Sequence, residues 1–223
     1  MGFDFVHLVE LIPDINKAFL ETLYMIALSS VVAIILGLPI GILLYITDKG
    51  LFLENRLFQN VLSFLVNLVR SIPFIILLVA LIPLTEFLVR DTIGPTAASV
   101  SLTVAAIPFF ARIVETSLRE IDKGVIEAAI AAGATPWMII KDVLLLEARS
   151  SIISGVTLTL ISLVGFSAMA GVVGGGGIGD LAIRFGYYRY DNTIMIATVI
   201  ILIILVQLIQ LIGDVFAKAI DKR

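Results

Sequence analysis

The sequence contains no cysteine and only one histidine, His7, among its 223 residues. Without cysteine, disulfides, thiolate chemistry and cysteine-based metal sites are excluded. A single histidine with no second ligand nearby predicts neither a metal site nor an acid–base pair. The chain also lacks a P-loop, in which Gly, four residues, Gly and Lys precede Ser or Thr. We therefore expect no catalytic residues, no metal and no cofactor bound by this chain, and we do not predict an enzyme.

Charged side chains are scarce as well. Asp, Glu, Lys and Arg make up 15% of the chain and hydrophobic residues 60%, whereas about a quarter of the residues in a soluble domain are charged. Runs without any charged residue cover residues 22–47, 57–69, 71–85, 92–111, 150–179 and 192–213. A helix needs about 20 apolar residues to cross a bilayer. Four runs reach that length alone, and the two that flank Arg70 together supply one more.

This distribution predicts an all-α, polytopic membrane protein: a bundle of about five transmembrane helices in contact with lipid, forming one domain over residues 18–213. Residues 1–14 are acidic and lack the basic head of a signal peptide. We therefore expect the first span to act as its own insertion signal. The net charge of −3 gives no indication of a nucleic-acid partner.

The basic residues predict how the chain is oriented. An odd number of spans places the two termini on opposite sides of the membrane. The loops on the N-terminal side carry only four of the 15 basic residues, Lys17, Arg90, Arg184 and Arg189. Because basic residues concentrate in cytoplasmic loops, we expect the N-terminus outside and the C-terminus in the cytoplasm.

Arg70 interrupts the apolar stretch of residues 57–85, and two interpretations are open. A charge inside a membrane is costly and often functional, so Arg70 could be buried in the bundle. Alternatively, residues 57–69 form an interfacial helix and the span begins near Ser71 and Pro73. Proline removes a backbone donor and breaks helices, which favours the second interpretation.

The longest polar segment, residues 112–149, predicts a helical hairpin. Residues 125–132 are rich in strong helix formers, and Gly133 suits the left-handed position that ends a helix. Thr135 suits the next N-cap, Pro136 the first helical position, and a second helix follows from Trp137. The pattern fits either a docking element for a cytoplasmic partner or a hairpin packed on its own bundle.

The hairpin also carries a resemblance. Glu127, Ala128 and Ala129, then three residues, then Gly133 resemble the EAA motif of binding-protein-dependent ABC importer permeases. In that family the motif forms a coupling helix that inserts into a cleft of the ATPase. The resemblance therefore implies that residues 120–147 dock on an ATPase. The docking residues it implies are Glu127, Ala128, Ala129, Gly133, Thr135, Pro136 and Trp137.

The family motif usually ends in a proline, and this sequence departs from it. Leu146 occupies the expected proline position. Because proline kinks a helix, its absence predicts a straighter connection from the hairpin into Ser150.

Further blocks are similar to methionine importer permeases: residues 70–78, 108–115, 165–169 and the glycine cluster that follows. The resemblance implies the permease subunit of an ATP-driven importer for D- or L-methionine in the bacterial plasma (inner) membrane. It also implies a homodimer, two separate ATPase subunits that use ATP and Mg, and an external methionine-binding lipoprotein. Alternatives are the same machine for another small amino acid or peptide, and a secondary transporter or channel working alone.

The fourth span, residues 150–173, is rich in small residues, which allow close helix contact or line a polar path. Met169 and Phe166 are its bulky exceptions. In a homodimer, Met169 could meet its twin in an apolar ring that gates a pore. The alternative is a methionine that faces lipid or the core.

Other glycines and one acid have simpler interpretations. Gly37 and Gly41 in the first span favour helix packing over a substrate path. The glycines of residues 174–179 fit GxGxxG by chance, since no βαβ unit surrounds them. They predict backbone freedom where a helix ends and the chain re-enters the membrane. Glu21 is expected in the headgroup zone.

Overall fold

A computed structural model describes residues 5–220, with side chains from Leu8 onward. The predictions made from residues 1–4, from the side chain of His7, and from Lys222 and Arg223 lie outside the described residues. The described part is helical, as expected. In chain order the helices are α1 (Phe5–Glu10), α2 (Ile12–Ile46), α3 (Arg56–Ser71), α4 (Phe74–Ala80), α5 (Ile82–Val89), α6 (Pro95–Arg119), α7 (Lys123–Ala131), α8 (Pro136–Met138), α9 (Leu145–Glu147), α10 (Arg149–Gly171), α11 (Gly177–Leu181) and α12 (Asn192–Ile220). Two π-helical segments, Ile139–Leu144 and Ala182–Tyr187, continue α8 and α11.

Four of the described helices are long and apolar enough to cross a membrane: α2, α6, α10 and α12. Helices α3 and α4 together pass the same test but are bent by 101°. The described chain therefore has four spans, or five if this bent pair is one broken span. This agrees with the five-helix bundle predicted from the charge-free runs.

The long pair of α2 and α6 forms the centre of the bundle. Glycines allow this contact, because a Cβ at Gly41 would lie 2.5 Å from the carbonyl oxygen of Ala111, and one at Gly37 would lie 3.0 Å from that of Ile107. The packing interpretation of Gly37 and Gly41 is confirmed. Helices α10 and α12 complete the bundle. The two helices approach closely at Gly213, where a Cβ would lie 2.0 Å from Thr157 Oγ1.

Helix α3 has two distinct faces. It begins at Asn55, whose side chain accepts a hydrogen bond from the Phe58 N–H over 3.1 Å, and it ends before Pro73. Only Val66 is buried within it. The predicted break at Pro73 is confirmed, and Arg70 is exposed in this chain instead of being buried in its bundle. One face is polar and carries Gln59, Asn60, Ser63, Asn67 and Arg70.

Candidate coupling surface and translocation face

The hairpin of residues 120–147 is shaped by local capping. The Asp122 side chain accepts a hydrogen bond from the Gly124 N–H over 2.7 Å, at the start of α7. At the other end Gly133 has φ +82°. Its N–H bonds to the Ile130 carbonyl, and the Ala134 N–H bonds to that of Ala129. These two bonds form a Schellman motif, as the sequence predicts for Gly133.

The second arm of the hairpin starts as predicted. Thr135 caps α8, because its hydroxyl accepts a hydrogen bond from the Met138 N–H over 3.4 Å, and Pro136 takes the first helical position. The predicted straighter connection is not found. The chain still bends at Ala148, between α9 and α10, with Leu146 in place of proline. The bend arises without proline because Ala148 leaves regular helix geometry, at φ −83° and ψ −1°.

Buried apolar side chains fasten the hairpin to the bundle. Ile126 and Ile139 are 3% and 1% exposed, and they pack in one core with Leu118 and Phe110 of α6. The opposite surface is exposed. Its exposed residues include Glu127, Ala128, Gly133, Thr135 and Pro136. Larger apolar side chains stand among them: Trp137 is 69% exposed, Met138 49%, Ile130 47% and Val125 41%.

The hairpin thus has one face packed on the bundle and another exposed. One side of the hairpin packs on its own bundle, as one of the two sequence interpretations expects, and most of the motif residues on the other side are exposed. Ala129 is the exception among them, since it is half-buried against the core. An exposed apolar group of this kind, rimmed by polar residues, is typical of a protein interaction site.

A buried carboxylate lies where α6 leads into the hairpin. Glu115 is 1% exposed and pairs with two guanidinium groups of its own helix. Arg112 Nη1 contacts Glu115 Oε2, and Arg119 Nη2 lies 2.8 Å from Glu115 Oε1. Arg119 also pairs with Asp48, with 2.6 Å between Nη2 and Oδ2. A buried charge is tolerated only when it is paired in this way.

The same network reaches helix α3. Arg112 Nη2 donates to Asn67 Oδ1 over 2.8 Å and to Ser63 Oγ over 3.1 Å. The polar face of α3 is therefore joined to α6. Sequence reasoning missed this network. The available signal was Arg112, Glu115 and Arg119 at i, i+3 and i+7, on one helical face.

Asp48 connects the network to the loop after α2. Partial burial opposes ionisation of this carboxyl. The Lys49 N–H and the Arg119 guanidinium outweigh burial and hold the pKa of Asp48 below its ordinary value. The ionised form is therefore the one that the fold stabilises.

One face of α10 is uncovered by the rest of the described chain. Its exposed residues recur at helical spacing: Ser154, Leu158, Gly165, Met169 and Val172. Met169 is 48% exposed, so a core methionine is excluded for this chain. Phe166 is half-buried and stacks on Phe74 of α4, with ring centroids 4.6 Å apart. The structure thus places Met169 on the open face, and Phe166 one turn away against α4.

The glycine segment, residues 171–179, lies at the opposite end of the bundle from the hairpin. Glu21 and Thr22 of α2 hold it: Glu21 Oε2 accepts from the Gly177 N–H and Thr22 Oγ1 from the Ile178 N–H, each over 2.9 Å. The expectation that Glu21 simply lies among headgroups misses this. No local pattern indicates the contact, because 156 residues separate the partners.

Comparison with known proteins decides the family. The model of the family described as "Binding-protein-dependent transport system inner membrane component" matches residues 37–223. The chain belongs to this family. Membership agrees with the apolar bundle and with the EAA-like hairpin, and it makes the chain the membrane component of a transport system.

The sequence of this chain is similar to those of named transport proteins. The chain is 52% identical to the probable D-methionine transport system permease protein MetI of Vibrio cholerae, over 203 residues that cover 91% of this chain and 90% of the relative. It is 42% identical to the methionine import system permease protein MetP of Bacillus subtilis, over 212 residues, 95% of this chain and 96% of the relative.

A solved structure has the same fold. It is described as an inward-facing conformation of the MetNI methionine ABC transporter, and one of its chains is 46% identical to this one. The match covers 93% of this chain and 96% of that chain, with a TM-score of 0.92. The bundle described above is therefore the fold of an ABC importer permease.

Proposed function

We propose that this chain is the permease subunit of an ATP-driven importer that carries methionine across a bacterial plasma membrane. The observation that carries the proposal is the hairpin, which is anchored by Ile126 and Ile139 and presents an uncovered apolar surface. Membership of a family of transport components supports it, as do relatives named for methionine transport.

The proposed assembly contains two copies of this chain, two ATPase subunits and an external methionine-binding lipoprotein. Residues 18–213 act as one transmembrane unit, and residues 120–147 are its coupling segment. Glu127, Ala128, Gly133 and the exposed Trp137 contact the ATPase, which supplies ATP hydrolysis with Mg. Closure of the ATPase pair moves both hairpins, and the bundles switch between inward-facing and outward-facing states.

Reconstitution tests the function. Liposomes that contain the chain with its ATPase and binding protein should accumulate labelled methionine only when ATP and Mg are present on the ATPase side. Uptake that ignores ATP would indicate a transporter working alone. Uptake of another amino acid or peptide, with no competition by methionine, would reassign the substrate.

Orientation is tested with single cysteines, because the wild-type chain has none. We propose the N-terminus outside and the hairpin in the cytoplasm. A thiol introduced by Asn192→Cys should react with impermeant reagents from outside, and one introduced by Asp122→Cys only after permeabilisation. The reverse labelling pattern would overturn the orientation and the hairpin's contact with an ATPase.

Met169 is proposed as the gate, with Phe166 supporting it. Its exposure on the open face of α10 fits a side chain that meets its twin across the dimer axis, where apolar rings close pores. Met169→Ala should raise passive leak or uncouple hydrolysis from uptake. Met169→Cys should cross-link between subunits in the inward-facing state. Absence of the cross-link, together with normal uptake by the alanine variant, would exclude the gate.

A further inference from the structure

The cation Arg70 lies exposed in the last turn of α3. It is the only charged residue between Arg56 and Glu86. Its side chain makes no hydrogen bond and no ion pair with any described residue. The arginines of α6 differ in this respect, since Arg112 and Arg119 are both paired with Glu115. Arg70 lies where α3 ends and the bent pair turns into α4, and a cation at the edge of a span without a side-chain partner is available to bind an anion from outside the chain.

Arg70 lines two cavities that share it and Phe109. The first, of about 380 Å³, is lined by Arg70 and Phe109, by hydroxyls such as those of Thr116 and Ser154, and by the charged Arg112 and Glu120. The second, of about 360 Å³, shares Arg70 and Phe109 with the first. Apart from Arg70 its lining side chains are apolar, and we call it the apolar cavity. Its further walls are Val69, Ile72, Pro73, Phe74, Leu77, Ala105 and Phe166. Both volumes are in the range of small-molecule sites.

We propose that these cavities form a substrate site within the permease, in which Arg70 binds the carboxylate of an amino acid with an apolar side chain. The inference rests on the proposed import function and adds a residue and a site to it. Arginine matches the proposed ligand because its planar guanidinium binds carboxylates in a two-pronged geometry. The ammonium group of the amino acid faces the open, hydroxyl-lined cavity.

The apolar cavity accounts for the rest of the ligand. Phe74 and Phe166 stack against each other on one wall, with 4.6 Å between their ring centroids, and Phe109 lies at the junction with the polar cavity. A thioether gains contact energy at the edge of aromatic rings. An unbranched thioether side chain such as that of methionine therefore fits this wall, with its carboxylate on Arg70.

The place of the site along α10 agrees with a transport path. Ser154 and Leu158 line the polar cavity, Phe166 lines the apolar one, and Met169 follows one turn later. The site thus lies between the proposed gate and the hairpin end. A ligand released past Met169 would meet Arg70 before it reaches the cytoplasm.

The test places a reporter thiol in the apolar cavity. Ala105→Cys introduces a thiol into a chain that otherwise has none, at a half-buried position of the cavity wall. In the assembled complex, L-methionine should slow the labelling of this thiol by a maleimide. Methioninol, which lacks the carboxylate, should need about tenfold higher concentration or more, since a hydrogen bond to a charged group is lost.

Substitutions of Arg70 complete the test. Combined with Ala105→Cys, Arg70→Gln should abolish protection by methionine, and Arg70→Lys should restore part of it because the charge is kept. Arg56→Gln is the matched control. It removes a cation from the other end of α3, where Arg56 Nε pairs with Glu54 over 2.8 Å on the surface, and such pairs contribute little. Protection should stay as in wild type.

Uptake separates this inference from the proposed function. If ATP-driven methionine uptake is normal but methionine never protects the thiol, or protects it equally with Arg70→Gln, the site is wrong and the function stands. If protection depends on Arg70 but the wild-type complex takes up no methionine, the site stands and the function is wrong. Equal protection by methionine and methioninol would also overturn the role of Arg70.

Discussion

The hairpin and the glycine segment both contain glycines with positive φ at their turns, but the two regions differ in the space around their glycines. At Gly133, φ is +82° and a Cβ would meet nothing within 4 Å. In the glycine segment, Gly177 has φ +80° and a Cβ there would lie 2.6 Å from Thr22 Oγ1. At Gly179, which does not have a positive φ, a Cβ would lie 2.4 Å from the backbone of Ala168. The hairpin glycine serves backbone conformation alone, whereas the glycine segment also needs close packing.

This difference follows from what each end touches. The hairpin turn is closed by its own hydrogen bonds and leaves its surface free for another protein. In the glycine segment, residues 177–179 are buried and held against α2 and α10 of the same chain. Substitutions at the two ends should therefore separate stability from coupling.

The largest effect on stability is expected at Gly179. A Cβ there would overlap the Ala168 backbone, which cannot yield as a flexible side chain does. We expect Gly179→Ala to cost about 3 kcal/mol or more, which lowers the thermal midpoint in detergent by roughly 6–12 °C. Gly165→Ala is the control in the neighbouring helix, because its Cβ meets nothing within 4 Å. If both variants melt like wild type, close packing is not what the segment needs.

The next effect concerns the hydrogen bond from the Ile178 N–H to Thr22 Oγ1, which caps the start of α11. Thr22→Val keeps the shape of the side chain but leaves the buried Ile178 N–H without its acceptor. An unsatisfied buried donor costs about 1–3 kcal/mol. Thr22→Ser retains the hydroxyl and should keep most of the stability. Equal thermal midpoints for the valine and serine variants would show that the hydrogen bond does not hold the segment.

At Gly133 a smaller loss of stability should accompany a large loss of function. Gly133→Val forces a β-branched residue into the left-handed region, at about 1–2 kcal/mol, without any steric overlap. We expect normal insertion, weakened ATPase association in pull-down and lost ATP-driven uptake. Gly133→Asn tolerates positive φ and should keep the turn. Normal uptake by the valine variant would exclude the hairpin as the coupling element.

The same contrast explains what could be predicted from sequence. Gly133, Thr135 and Pro136 act within a few residues of chain, so their residue types alone indicated the turn and the cap. The spans followed from charge-free runs in the same way. The cap from Thr22 to Ile178 and the network around Glu115 depend on which helices become neighbours, and one sequence gives no measure of that. The bend at Ala148 was missed because proline was the only kink considered.

The smallest effect concerns the loss of stability at low pH, where the ion pair between Asp48 and Arg119 is weakened. Because the pKa of Asp48 is lowered in the folded chain, its pair with Arg119 stabilises the fold above the ordinary pKa of an aspartate, about 4. That stability is lost as the pH falls through the lower, folded-state value. The Asp48 side chain is 27% exposed, so we expect at most about 1 kcal/mol.

The measurement compares thermal midpoints at pH 6 and pH 3 for wild type and Asp48→Asn. At pH 6 the wild type should melt about 2–4 °C higher at most, and the gap should be narrower at pH 3, because below the ordinary pKa of an aspartate the charge contributes progressively less stability. The gap should also shrink in high salt, since the pair is partly exposed. A gap that is as large at pH 3 as at pH 6 would mean that Asp48 acts through its hydrogen bonds and not through its charge.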